Sequence, residues 1–189
     1  MGTFFTNDVY GIDINSEAVN IAKKHGIKAK LGDIEEKWDY PNEYFDIVIA
    51  SHIVEHVVNP DALLLEANRV LKKKGILIIA TPNLGAWFNR VLLLIGYQPF
   101  FTEVSTVDKT MGLGFTRKLT PLRSPLGHLR LFTLKALQDI LLLHEFRINK
   151  TFGAEFLAFP PLILKLDKLL SYVPSLASNI VIIAQKKKL

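Results

Sequence analysis

Several residue types in this chain could do chemistry, and each stands just after a run of apolar, β-branched residues. Asp13 follows Val9–Ile12, and Asp33 follows Ile27–Leu31, about 20 residues later. Ser51–His52 closes the run YFDIVIAS, and Thr81–Asn83 follows ILIIA. A carboxylate accepts two hydroxyl hydrogen bonds at once, so an acid at such a position suits a ribose diol, and a second suits the amino group of an adenine. Each aspartate could equally cap the turn or helix that follows it. His52 and His56 bracket Glu55 in H-x-x-E-H, a spacing that also occurs in inverted zinc peptidases. That chemistry needs a long helix presenting both histidines, whereas here a new helix start, Asn59–Pro60, comes three residues after His56, so no metal site is expected. His128, in the loop sequence GHLRLF, is the best substrate-side polar candidate, as a base or as a turn-stabilising group.

The elements that must position these residues alternate between strand and helix. Val9–Ile14 reads as a strand, and Asn15 or Ser16 then caps a helix to about Lys24, closed by Gly26. Ile27–Leu31 is the next strand. Tyr44–Ser51 is apolar without alternation, as a parallel strand covered on both faces requires. Asn59–Pro60 opens a helix with the stripe Leu63, Leu64, Ala67, Val70 and Leu71, expected to end at Lys72–Lys74 and Gly75. Ile76–Ala80 is a further strand. Repeated units of this kind predict an α/β fold with a parallel, doubly wound sheet, whose ligands bind outside the carboxyl ends of the strands.

After Pro82 the period breaks. Leu84–Ile95 fits one apolar helix, and the remainder to about Gly127 reads as a cap rich in aromatics, glycine and proline. Trp87, Phe88, Tyr97, Phe100 and Phe101 could line an apolar pocket or pack the cap. Thr133 caps a helix through Leu141, followed by a strand near Phe146–Phe152 and a last strand, Asn179–Ala184. Between them, Phe156–Leu170 is an apolar stretch with lysines on its flank. It is expected to face the core, with contact to a membrane surface as the alternative.

The segments VYGIDINSEAVNIAKKHG, LGDI and YFDIVIASHIVEHVVNPDALLLEANRVLKKKGILIIATPN, with the later GHLRLFTLKALQDILLLHEF, resemble the core of class I S-adenosylmethionine-dependent methyltransferases. The ubiquinone-biosynthesis methyltransferases are similar. The resemblance covers roughly residues 8–83 and 127–185 of a single domain spanning 1–189. It implies a Rossmann-like sheet, mostly parallel, with an antiparallel last strand and a helical cap after the strand ending at Ala80. Asp13 would hold the ribose hydroxyls and Ile14 would pack on the adenine. Asp33 would accept from the adenine amino group, with Ile34 beside the ring, while Ser51 and His52 would line the methionine end. His128 and His56 are the candidate catalytic residues, and Glu55–His56 resembles a Glu–His pair of ubiquinone O-methyltransferases, some of which use a divalent ion.

The family begins with a strand and a turn of the type E/D-x-G-x-G-x-G, whose glycines let the backbone approach the cofactor. Here Gly2 is the only glycine before Gly11, so the expectation is a member lacking its first strand, truncated at the N-terminus. That strand belongs in mid-sheet. Either the visible strands close into one six-stranded sheet, or the element comes from elsewhere. The implied function is methyl transfer from S-adenosylmethionine to a small-molecule or lipid-like acceptor. A non-catalytic member of the fold and a nicotinamide-dependent oxidoreductase are the alternatives.

Composition narrows the remaining classes. With 49% hydrophobic and 22% charged residues the chain of 189 is a packed globule, and without cysteine it has neither disulfides nor thiolate metal ligands. The net charge of +5 comes from lysines read as helix-end and tail residues, so no nucleic-acid partner is expected. No apolar run reaches the ~20 residues of a membrane span, and the start MGTFFTNDVYG is not a signal peptide. A cytoplasmic location is the expectation.

Overall fold

The computed structural model describes residues 8–119 and 123–187; residues 2–7, 120–122 of the cap and Lys188 therefore lie outside the described residues. The chain falls into two compact units, Met1–Pro41 and Asn42–Leu189. In the first, strand β1 (Tyr10–Asp13), helix α1 (Ser16–Lys24) and strand β2 (Lys28–Leu31) follow one another, and the strands pair in parallel from Tyr10–Lys28 to Asp13–Leu31. The helix starts where it does because the Asn15 side chain accepts from the backbone N–H of Glu17 and Ala18, at 2.8 and 3.2 Å. Gly26, at φ 80°, turns the chain out of it.

The second unit carries a four-stranded sheet in the order β3 (Phe45–Ser51), β4 (Leu71–Pro82), β6 (Asn179–Lys186), β5 (Phe146–Ala154). β3 and β4 are parallel, and β6 runs antiparallel to both β4 and β5. The antiparallel last strand is thus confirmed and lies inside the sheet. The six strands do not merge into one sheet: β1 pairs with β2, and the other four pair among themselves.

Three helices of this unit pack on or beside the sheet: α2 (Pro60–Val70), α4 (Leu134–Leu143) and α5 (Pro161–Leu170). The core they build contains Leu64, Val70, Leu77, Ile79, Leu137, Leu141, Phe146, Ile180 and Ile182, all fully buried. The cap contributes α3 (Trp87–Leu94) and a 3₁₀ turn at Gly114–Leu119, and is otherwise irregular among the described residues.

Two expectations from sequence need correction here. α2 ends at Val70, not at Lys72–Lys74, because Leu71 is fully buried and extended and already belongs to β4. The lysines form an irregular entry to that strand: Lys72 pairs with Asp46 at 2.8 Å, Lys74 sits at φ 64°, and a Cβ on Gly75 would come 2.9 Å from the Lys72 carbonyl oxygen. β3 is also not covered on both faces. It is an edge strand of its sheet, and Ile47 and Ile49 are 50% and 61% exposed.

One buried carboxylate ties the cap to the sheet. Asp167 of α5 accepts from Trp87 Nε1 at 2.8 Å, Ser178 Oγ at 2.6 Å and the Phe156 backbone N–H at 2.7 Å. Replacing it strands three donors, one buried and two part-buried, which are costly to leave unmade. Asp167→Ala should therefore lower unfolding free energy by about 3 kcal/mol or more, read from the urea midpoint. A change below about 0.5 kcal/mol, the usual range for a surface site, would show that the anchor is dispensable.

Candidate active site

In the first unit, the parallel register sets Asp13 beside Leu31, and Gly32 donates its N–H to the Asp13 carbonyl at 3.1 Å. Asp13 and Asp33 therefore leave adjacent strand ends on the same edge. Both carboxylates are exposed, and each is oriented by one backbone N–H two residues on: Asn15 to Asp13 Oδ1 and Glu35 to Asp33 Oδ1, both 2.8 Å. The turn role and a binding role are thus compatible, since each of these bonds uses one oxygen. Ile14 is 75% exposed, an open apolar surface next to a carboxylate, while Ile34 is half-buried.

In the second unit the loop after β3 is built around Glu55. Ser51 ends the strand opposite Ala80, and His52 turns away at φ 54° while donating its N–H to the Ala80 carbonyl at 2.8 Å. The Glu55 carboxylate is fully buried. It accepts from His52 Nδ1 at 3.2 Å and from Thr81 Oγ1, at the end of β4, at 2.9 Å. Burial would raise the Glu55 pKa, yet the bonds from His52, its own backbone and Thr81 outweigh it and hold it below the ordinary value. His52 is raised in turn, chiefly by its bond to Glu55.

A second loop docks on the first. The Glu55 carbonyl accepts from the N–H groups of Leu129 and Arg130, at 2.8 and 3.2 Å, and Arg130 Nη1 donates to the carbonyls of Val57 and Val58. Glu103 holds the other end, taking the N–H groups of Leu126 and Gly127 at 2.7 and 2.9 Å. The result sets the His56 and His128 rings 4.8 Å apart. His56 Nδ1 lies 3.1 Å from the Gly127 carbonyl oxygen, and His128 Nδ1 lies 3.0 Å from that of Phe101. A carbonyl only accepts, so both Nδ1 atoms carry the proton and both Nε2 atoms keep a lone pair in the neutral ring. Glu55, His56 and His128 offer ligand-type atoms within 4.8 Å of one another, a donor set of the kind divalent ions use. The orientation of each imidazole by a carbonyl is the support such ligands ordinarily have.

The sequence signals divide clearly against this geometry. His52 to His56 is a turn rather than a helix, so the zinc-peptidase arrangement is absent. His25 and His144 cap helix ends, as expected, and His144 Nε2 lies 2.7 Å from Asp61 Oδ1. Phe88 and Phe100 pack the cap with Phe159, and only Phe101 of the cap aromatics reaches a candidate residue, its ring 6.0 Å from His128. Glu103, which fixes one end of the His128 loop, carries no periodic or motif signal, while Arg130 lies in the family-like segment GHLRLF but its bonds to the Glu55 loop were not legible there.

Residues 2–79 match the family described as a methyltransferase domain. A ubiquinone biosynthesis O-methyltransferase of Pelagibacter ubique is 39% identical over 80 residues, which span 40% of this chain and 33% of that protein. The chain thus matches about a third of that curated relative's length. Two solved S-adenosylmethionine-dependent methyltransferases share the fold. One, from Thermotoga maritima, has TM-score 0.63 at 20% identity over 95% of this chain and 73% of its own. The other, from Methanosarcina mazei, has TM-score 0.62 at 20% identity over 95% and 82%.

Residues 2–79 thus carry a methyltransferase-domain match, and the chain as a whole has the fold of solved S-adenosylmethionine-dependent methyltransferases. The family match covers the strand-end aspartates and the Glu55 loop, and the fold likeness extends to β5 and β6.

The His52–Glu55 pair has a testable pH signature. A raised histidine contributes stability fully below its ordinary value of 6.5 and loses it as pH rises through the folded value. A lowered glutamate contributes above its ordinary 4.5 and loses it as pH falls through the folded value. The Tm gap between the parent and His52→Gln should be widest between these two values and narrow in alkaline solution. A gap independent of pH would contradict the ion pair.

Proposed function

We propose that this chain binds S-adenosylmethionine and transfers its methyl group to a hydroxyl of a small or lipid-like acceptor, of the kind used in ubiquinone biosynthesis. The observation that carries the reading is the juxtaposition of His56 and His128, each with Nδ1 bonded to a carbonyl and Nε2 available. It sits in a chain whose strand-end aspartates fall within the family match. The O-methyltransferase named among the relatives supports oxygen as the methylated atom.

The side chains present fit the adenosyl end of the cofactor. Asp13 would accept from the ribose hydroxyls, Asp33 would accept from the adenine amino group, and the exposed Ile14 with Ile34 would supply apolar surface for the ring. When bound, S-adenosylmethionine supplies an electrophilic methyl group on a sulfonium. His128 Nε2 takes the proton from the acceptor hydroxyl as the oxygen becomes nucleophilic, and the Phe101 carbonyl steadies the charge that then develops on the ring. His56 shares this proton site. Aligned displacement supplies the rest of the acceleration.

Calorimetric titration with S-adenosylhomocysteine tests the binding half. The parent should bind in the micromolar range, and Asp13→Ala should weaken affinity by about tenfold or more. Methyl transfer to a phenolic acceptor tests the other half: His128→Ala should keep cofactor affinity and lose about 100-fold in kcat. Absence of binding up to millimolar ligand would overturn the proposal. An unimpaired His128→Ala variant would remove the base from it.

A further inference from the structure

Helices α3 and α5 both turn apolar side chains to water. The buried arc of α5 carries Asp167 and is followed by buried Ser171, whereas Leu162, Leu166 and Leu169 point outward, 81%, 44% and 64% exposed. The sequence-based expectation that this stretch turns its leucines to the core is therefore met only by the half-buried Ile163, Leu164 and Leu170. α3 is apolar on both sides: Phe88 and Leu92 are buried beside the fully buried Asn89, while Val91, Leu93 and Leu94 are exposed, Leu94 to 85%. Single exposed leucines are ordinary, but two helices with outward apolar arcs over one phenylalanine cluster are not. The helices are joined by the Trp87–Asp167 bond and by Phe88 against Phe159, their rings 5.2 Å apart.

Charge decides what such a face can meet. Lys165 and Lys168 lie on one flank of the leucine arc of α5, and Arg90 lies between Val91 and Leu93 on the outer arc of α3. The sole acid in either helix is Asp167, which points inward. A second copy of the chain, meeting this patch through a two-fold axis, would set cations against cations. An anionic lipid surface complements it, since leucines enter the acyl boundary while lysines stay among the headgroup phosphates. Tyr172, 80% exposed just beyond α5, is a side chain suited to that interface.

We propose that the outer face of α5, extended by α3, docks this protein on anionic membrane surfaces, lying on the bilayer without crossing it. Among the described residues no helix is long and apolar enough to cross a membrane, which fits a surface contact. The inference stands independently of methyl transfer.

Co-sedimentation of the full chain with phosphatidylcholine vesicles, with and without phosphatidylglycerol, tests it. The chain should sediment with the anionic vesicles and release as salt rises. Replacing Leu162, Leu166 and Leu169 by Ser should weaken binding by about tenfold or more, and so should Lys165→Glu with Lys168→Glu. All five positions are exposed, so circular dichroism should show both variants folded. Failure to bind anionic vesicles, or variants that bind like the parent, would overturn the proposal. So would a dimer in sedimentation velocity that the serine variant abolishes while vesicle binding is unaffected.

Discussion

The candidate site depends on one buried charge. Glu55 is wholly out of water, and a carboxylate there is tolerable only if donors meet it. Thr81 and His52 do so, joining the end of β4 to the turn after β3. The same residue's peptide oxygen then holds Leu129 and Arg130, so a single position sets both the inner wall and the loop that carries His128. The left-handed turn at His52 is part of this arrangement, because it directs the chain from the strand end towards Thr81. Apart from Glu103, every hydrogen bond described around the His128 loop runs to a backbone carbonyl. The orientation of the two imidazoles thus follows from main-chain geometry more than from side-chain packing.

The cap obeys a second version of the same rule. Asp167 is buried among three donors, and Asn83 is buried with its amide donating to the Ala177 carbonyl and accepting from Gly85. The inner side of α5 thus carries Asp167, and that of α3 carries Asn89 beside Phe88 and Leu92, while other leucines of both helices are turned outward. The aromatic cluster of Phe88, Phe100 and Phe159 supplies the apolar packing instead, through edge-on contacts. One consequence is an outer surface whose chemistry is set by the demands of the interior.

Much of this was legible in the sequence because it rests on local rules. Asn15, Asn59 and Thr133 announce helix starts, and each caps by accepting a backbone N–H two or three residues ahead. The placement of Asp13, Asp33 and Ser51 at or just past carboxyl strand ends was legible because the apolar runs before them mark the strands. What stayed hidden depends on neighbours far along the chain. Lysine and leucine at 71–74 look like a helix end, and only the burial of Leu71 in β4 corrects that. Ile47 and Ile49 read as buried on both faces, yet pattern alone does not reveal that β3 is an edge strand. The meeting of His56 with His128 joins two loops separated by α2, β4 and the cap, and Glu103 and Arg130, which enforce it, obey no period. α5 fooled the reading for another reason: periodicity identifies an apolar face but not which side is turned to water.

The central claim is that Glu55 organises the two imidazoles so that each donates from Nδ1 to a backbone carbonyl. Long-range ¹H–¹⁵N correlation spectra of the histidine rings, recorded in alkaline solution, read the tautomers directly. The account predicts Nδ1–H rings for both His56 and His128 in the parent, and a loss of this preference at His128 in Glu55→Ala as its loop is released. Nε2–H rings in the parent, or spectra that Glu55→Ala does not change, would contradict it.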